Sequence, residues 1–373
     1  MSDTDLEIAP YLALMVNKEG EDMYLHSGAK ILIKGPFGFA WIGERLIPGQ
    51  VDRIFRSLTS DRKIMEFEEH GEVDFSVGVP NLGRFRAAAF RQRGETSLVF
   101  RYVHNEIPSV EELGLPLVLN ELVMEKNGLI VVVGATGSGK STSLAAMIDH
   151  RNSNAAGHII TLEDPIEYLH EHKRSVVAQR EIGVDTESFS TGIRSAMRSA
   201  PNVILLGEIR DAESMEYALK FANTGHLCLT TLHANHSVAA LERMLTFFPS
   251  EDQASETIRI AQNLRAIISQ RLVPTLEGGK CAAMEVLINT PRVQDLITKQ
   301  DFSELRDTMA QGSKYHMRTF DQALIELYEK GKISAETAIE FADSKNNVSL
   351  HIRLNKGGAF DDINLELDAI DRK

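Results

Sequence analysis

Apolar and polar residues follow two different rhythms along this chain, and the change falls near residue 120. Up to about Val103 the pattern is mixed. Ala9 to Val16 has apolar residues at helical spacing, whereas MYLHSG, KILIKG and FGFAWIG read as short strands closed by glycine turns. EVDFSVGV predicts a strand and GRFRAAAFRQRGETSLVFRYV a hairpin, so residues 1–105 read as a small α+β domain. HNEIPSVEELGLP brings polar residues and prolines, which predicts a linker over 106–118.

From about Asn120 helical segments alternate with short apolar runs. LIVVVG, HIITLED, VILLGE and HLCLTTLH suit central parallel strands covered on both faces. SFSTGIRSAMRSA and AESMEYALKFANTG are the helices between them, giving an α/β core over 119–280 with right-handed crossovers. Ser250 and Gln253 form a capping-box pattern that predicts one long helix through about Arg271. Residues 281–350 read as mostly helical, with an apolar stripe at Phe320, Ala323, Leu324 and Leu327, and a stop and restart at Gly331 and Ser334. The remainder, 351–373, is a polar, acid-rich tail, expected to be mobile, and no long-period repeat is present.

Composition narrows the class. No run approaches the roughly eighteen apolar residues of a membrane span. MSDTDLEIAP has no basic segment followed by an apolar one, so a cytoplasmic protein without a signal peptide is expected. Cys228 and Cys281 cannot make a disulfide framework or a four-cysteine zinc site, and their apolar neighbours predict buried, reduced thiols. A net charge of −13 weighs against broad nucleic-acid binding.

One stretch carries explicit chemistry. Gly134-Ala135-Thr136-Gly137-Ser138-Gly139-Lys140-Ser141-Thr142 satisfies the phosphate-loop pattern, with an apolar strand before it and a helix-forming segment after it. The glycines permit a turn whose N–H groups face phosphate oxygens at the positive end of the helix. Lys140 reaches the β- and γ-phosphates of ATP, and the Ser141 hydroxyl binds Mg²⁺. The other apolar runs end in Glu163, Glu208 and His233. In an open parallel sheet these carboxyl ends are where ligands bind. Phosphoryl transfer to water needs a metal ion and a group that orients the water. Glu163 is assigned to the water and Glu208 to Mg²⁺ through its hydration shell. The spacing of His226, His233 and His236 fits no common zinc pattern, and γ-phosphate sensing or structure is the better role for them.

Arg194 and Arg198 lie one helical turn apart and read as a surface pair. Arg84, Arg86, Arg91, Arg93 and Arg101 make the N-terminal hairpin basic in an acidic chain. They form either a nucleic-acid patch or arginines inserted at another subunit's nucleotide, and alternation puts Arg84 and Arg86 on one face.

GATGSGKSTSLAAMI, ITLEDPIEYLH, NVILLGEIRDAESM and TGHLCLTTLHAN resemble, in order, the Walker A, Asp box, Walker B and His box of the secretion-ATPase superfamily. Within it the chain is similar to the type IV pilus retraction ATPases over nearly its whole length, including GRFRAAAFRQRG and MRTFDQALIELY. That resemblance implies a homohexameric, Mg²⁺-dependent ATPase in which a PAS-like N-terminal domain and a RecA-like core alternate around a ring, with ATP bound between them. It implies Glu163 as the catalytic glutamate, Glu208 as the Walker B glutamate, His226 and His233 as the His box, and Arg86 and Arg101 as the arginines that approach the phosphates. Pro201-Asn202 stands where the family usually has Pro-Asp, which leaves Glu208 and hydrolysis intact; RVQDLITKQD departs from the basic helix of the PilT branch and, with HLCLTTLHANH, EVLINTP and the extra tail, makes the chain resemble the accessory PilU branch more closely. The implied partners are the inner-membrane pilus platform protein and a PilT-type ATPase. The implied place is the cytoplasmic side of the pilus machine, with no membrane insertion and no nucleic acid. Three alternatives stand beside this reading: a pilus assembly or type II secretion export ATPase, whose relatives commonly carry a four-cysteine zinc module that two cysteines cannot build; a nucleic-acid-stimulated translocase, which the acidity disfavours; and a ring subunit that binds ATP without hydrolysing it.

Overall fold

Six antiparallel strands form the first sheet: β1 (Asp22–Leu25), β2 (Ile31–Gly35), β3 (Gly38–Ile42), β4 (Glu72–Val79), β5 (Gly83–Gln92) and β6 (Glu95–Val103), in the order β3-β2-β1-β6-β5-β4. The structure, a computed structural model, describes residues 8–35, 38–80, 82–103 and 106–355. The MSDTDLE start and most of the acidic tail lie outside these. Strict alternation sends Met23, Ile33, Phe75, Ala87 and Phe100 to one face, where helices Ala9–Asn17, Gln50–Leu58 and Asp61–His70 bury them with Leu12, Met15, Phe55 and Phe67. The opposite face mixes a charged row through Arg86, Arg101 and Asp22 with an apolar one through Trp41, Leu32, Tyr24 and Val99. Contacts group residues up to Ile107 with Asp164–Glu171 and Gln179–Ser188 as one compact unit, so it takes in two stretches that the linear reading placed in the 119–280 core.

The second sheet comprises β7 (Gly128–Val133), β8 (Gly157–Glu163), β9 (Ser175–Glu181, whose last three residues group with the first unit), β10 (Val203–Leu206), β11 (Leu227–Leu232), β12 (Leu264–Pro274) and β13 (Lys280–Ile288). The sheet order is β13-β12-β7-β11-β10-β8-β9. Neighbours from β12 through β8 are parallel, and β13 closes the edge antiparallel to β12. Leu129, Val131 and Val133 enter one core layer while Ile130 and Val132 enter the other. Each such side chain contributes about 1.5–3 kcal/mol by leaving water, which is why these strands are apolar throughout.

Three expectations are corrected. The helix opened near Ser250 spans Gln253–Asn263 only, without a side-chain cap, and the chain continues as β12. Ala266, Ile267 and Ile268 are buried on both sides of the sheet beside β7, where an extended strand completes the backbone hydrogen bonds and a helix could not. Residues 280–288 are likewise a strand, so the core sheet runs past 280 and the helices begin at Pro291–Thr298. The segment read as a linker buries Val110 and Leu115 in the core of the second unit.

The apolar stripe at Phe320, Ala323 and Leu324 does pack inward, on helix Phe320–Glu329 with its Thr319–Gln322 capping box, and Ser334 caps helix Ala335–Glu340. Arg271 fastens this end to β12. Its guanidinium lies 3.8 Å from the Phe320 ring centroid and 2.7 Å from Asp343.

Cys228 is buried as expected, whereas Cys281 is partly exposed at the start of β13. Burial raises the pKa of both thiols, and Lys332 partly offsets this at Cys281. A disulfide reagent on the native protein is therefore expected to titrate one thiol, Cys281, with Cys228 following only on unfolding. Two equivalents released at one rate would contradict this.

Candidate active site

The second unit places its chemistry at the carboxyl ends of its parallel strands. β7 runs into the phosphate loop, and helix Lys140–Asn154 starts immediately after Gly139, which sits at φ 85°. Gly134 has φ 152°, and a Cβ there would lie 2.4 Å from the Gln270 carbonyl oxygen and 2.6 Å from Ser138 Oγ. Only glycine lets the loop fold this tightly against β12. The Ser143 hydroxyl donates to Gln270 Oε1 at 2.8 Å, which binds the first turns of the helix to the same strand. Gln270 was not singled out in the sequence. Its one signal is a polar residue inside an apolar run.

Lys140 Nζ donates to the Gly134 and Ala135 carbonyls at 2.8 and 3.0 Å. Burial lowers its pKa, and the negative charge of Glu208 partly offsets that. The buried Ser138 hydroxyl has no hydrogen-bond partner among the described residues. A cradle closed by Gln270, a lysine at its mouth, an unsatisfied hydroxyl in its wall and a helix N-terminus together fit a polyphosphate.

Glu163 ends β8, and Thr161 Oγ1 donates to its Oε1 at 2.6 Å, which orients the carboxylate. Glu208 follows β10 and accepts from Arg210 Nε at 2.8 Å. Its other oxygen lies 2.9 Å from His233 Nε2, just beyond β11. Lys140, Glu208 and His233 thus come together, with Glu163 at the same sheet edge. Among the described residues no group of three or more His, Cys, Asp or Glu could hold a metal ion directly. Glu208 and the Ser141 hydroxyl on the first helical turn are the oxygen donors that this edge offers a cation.

His226 is not part of this edge. It precedes β11, its Nδ1 faces Thr224 Oγ1 and the Phe221 carbonyl, and its own carbonyl accepts from Gly128 N at the start of β7. The length of β7, ~17 Å, separates that end from the phosphate loop, so His226 does not join Lys140, Glu208 and His233 at the loop edge of this sheet. Asn202 is at the same amino-terminal edge. Its Oδ1 accepts from His158 N at 2.9 Å and joins β10 to β8, which explains how an amide can replace an acid there. His236 caps helix Ser237–Thr246 through Ala239 N.

In the first unit, direct cross-strand partners form a row across the face opposite the helices: Ser76, Arg86, Arg101, Asp22, Lys34 and Phe39. Arg86 and Arg101 are opposite each other, an arrangement that like charge disfavours. Each has its own acid, Arg86 with Glu167 at 3.3 Å and Arg101 with Asp22 at 2.8 Å. Arg84 pairs with Glu181 at 3.1 Å, and Arg91 lies over the Phe67 ring. A cleft of about 260 Å³ on this face is lined by Arg86, Arg101, Lys63, Asp22, Asp164 and Glu181, among others. Arg194 pairs with Glu213 on the surface, and Arg198 lies beyond the end of its helix.

Comparison with known proteins gives one consistent picture. The sequence profile of the family described as Type II/IV secretion system protein matches residues 69–354. The chain is 44% identical over 351 residues to the type IV pilus ATPase PilU of Pseudomonas aeruginosa, covering 94% of this chain and 92% of that one. It is 37% identical to the retraction ATPase PilT of the same organism, covering 92% and 100%. A crystal structure of the pilus retraction motor PilT with bound ADP superposes with a TM-score of 0.84 at 39% identity, over 92% of this chain and 98% of that one. No helix among the described residues is long and apolar enough to cross a membrane.

Proposed function

The chain belongs to the Type II/IV secretion system protein family, and from that premise we propose that it is an ATP-hydrolysing motor of a type IV pilus machine that drives or assists retraction, and is of the PilU type. The convergence of Lys140, Glu208 and His233 beside the phosphate loop, with Glu163 at the same edge, carries the reading. Identity to PilU exceeds that to PilT, 44% against 37%, which favours the accessory branch.

The residues divide the work as follows. Loop N–H groups from Gly134 to Ser141 and the helix N-terminus hold phosphate oxygens, and Lys140 turns from the loop carbonyls to the β- and γ-phosphates. Ser141 and, through water, Glu208 would hold magnesium. When bound, that ion spreads the negative charge of the phosphoryl group being transferred. Glu163, oriented by Thr161, aligns the attacking water and takes its proton. His233 ties the end of β11 to Glu208 and so senses what Glu208 holds. Arg86 and Arg101 neutralise charge on the departing phosphates, a role in which an arginine contributes about 10³–10⁵ in rate. A ring of six chains, engaged with a PilT-type ATPase and the platform protein, converts each turnover into rigid-body motion.

The test is steady-state ATPase activity of the full chain across a magnesium titration, beside Lys140→Ala. Magnesium-dependent turnover is expected from the wild type, with a loss of about 10²–10³-fold in the variant. Wild type that binds ATP without turnover, alone and with a PilT-type partner, would overturn the reading.

A further inference from the structure

The Arg86–Arg101 pair needs a device that keeps two guanidinium groups side by side. Register partners on adjacent antiparallel strands have Cβ atoms only ~5 Å apart, and neither arginine can withdraw without leaving the cleft. On the far side of Arg101 the same row continues into Asp22, the first residue of β1. Its carboxylate grips the side-on edge of the guanidinium, with Nε to Oδ1 at 2.8 Å and Nη2 to Oδ2 at 3.3 Å. Lys34 Nζ donates to Oδ2 at 3.5 Å and closes the row.

The two partners differ sharply in exposure. The Asp22 side chain is 4% exposed, whereas that of Arg101 is 61% exposed. The acid is therefore built into the sheet face and the arginine projects from it. Burial acts to raise the Asp22 pKa, but the hydrogen bonds and charges of Arg101 and Lys34 outweigh it, so the carboxylate stays ionised below its ordinary range. Glu167 is a different kind of partner for Arg86. It is half exposed and makes one longer contact of 3.3 Å, the sort of contact an incoming anion can displace.

We propose that Asp22 is the positioning residue for Arg101. It holds the guanidinium by its side-on edge so that the end formed by Nη1 and Nη2 is presented to an anionic oxygen, and it offsets the repulsion from Arg86. This rests on the reading that the arginine pair meets the phosphates of ATP. Asp22 itself touches no substrate. Its effect passes through Arg101 and is felt most where charge develops in the transition state.

The experiment is a double-mutant cycle on the full chain, reading kcat and KM separately. Arg101→Ala is expected to lower kcat by about 10³-fold or more. Asp22→Asn, which keeps the shape and removes the charge, is expected to lower kcat by about 10- to 100-fold with KM changed by no more than about threefold. In the Arg101→Ala background the Asp22 substitution is expected to cost nothing further, because the group it positions is gone. Asp22→Glu keeps the buried charge and protects folding if the asparagine variant is unstable. It displaces the fork by one methylene and is expected to lose kcat by about tenfold, again only while Arg101 is present. Losses that multiply across the two sites, or Asp22 variants with unchanged kcat beside an impaired Arg101→Ala, overturn the proposal alone. An unimpaired Arg101→Ala removes the reading of the arginines, and this proposal with it.

Discussion

Glu163→Gln is expected to abolish turnover while leaving ATP bound. The amide keeps the size and the Thr161 contact of the carboxylate, which accepts from Thr161 Oγ1 at 2.6 Å, but it cannot take a proton from the attacking water. General-base catalysis of this kind contributes about 10²–10⁴-fold, so kcat should fall by that order. Affinity is set by other groups, the loop N–H donors and Lys140, and should stay within about threefold. Measuring turnover and equilibrium nucleotide binding on the same samples separates the two. A variant that loses binding in step with turnover would make Glu163 a structural residue. One that retains activity would move the water-orienting role elsewhere.

The second large effect is expected from a single methyl group. Gly134→Ala places a Cβ 2.4 Å from the Gln270 carbonyl and 2.6 Å from Ser138 Oγ, at a φ of 152° that alanine rarely adopts. Neither neighbour can yield cheaply, since one is backbone in a central strand and the other is part of the loop. Gly137 provides the control. It also has positive φ, 76°, but a Cβ there meets nothing within 4 Å. Gly137→Ala should cost only the backbone term, about 1–2 kcal/mol. Gly134→Ala should cost that plus an overpacking cost of about 1–3 kcal/mol, and should lose nucleotide binding because the loop is forced open. Denaturant midpoints and nucleotide affinity for both variants check this. Equal losses at the two positions would mean that Gln270 does not brace the loop.

Much of the site was legible because its logic is one-dimensional. A strand buried on both faces has to be apolar throughout, so the polar residues that end or follow it, here Glu163, Glu208 and His233, stand out in the sequence. The same rule hid β12. ETIRIAQNLRAIISQRLVP keeps apolar residues at both helical and strand spacing, and only its parallel pairing with β7 shows where the helix stops at Asn263. Helices Gln50–Leu58 and Asp61–His70 were also missed, although Val51, Ile54 and Phe55 mark a buried face on the first; the second fully buries only Phe67. His226 shows a different limit. A motif places two histidines close in sequence, yet they flank a six-residue strand and end on opposite edges of the sheet. Asp22 and Arg101 are 79 residues apart in the chain. Their pairing depends on strand order β1-β6, which no local pattern encodes.

The first unit is assembled from three separate stretches, and this bears on how the protein can be cut or inherited. A fragment ending at Ile107 would omit Glu181, whose carboxylate accepts hydrogen bonds from Ser76, Arg84 and the Ile166 backbone. It would therefore leave Arg84 partly buried beside no acid and would strip Arg86 of Glu167. The amino-terminal part is not a detachable module. A recombination event that exchanged it would have to import residues 164–171 and 179–188 as well, through a gene segment that also encodes part of the catalytic core. Lineages should consequently keep the hairpin and the loop after Glu163 as a matched pair, passed on together or not at all.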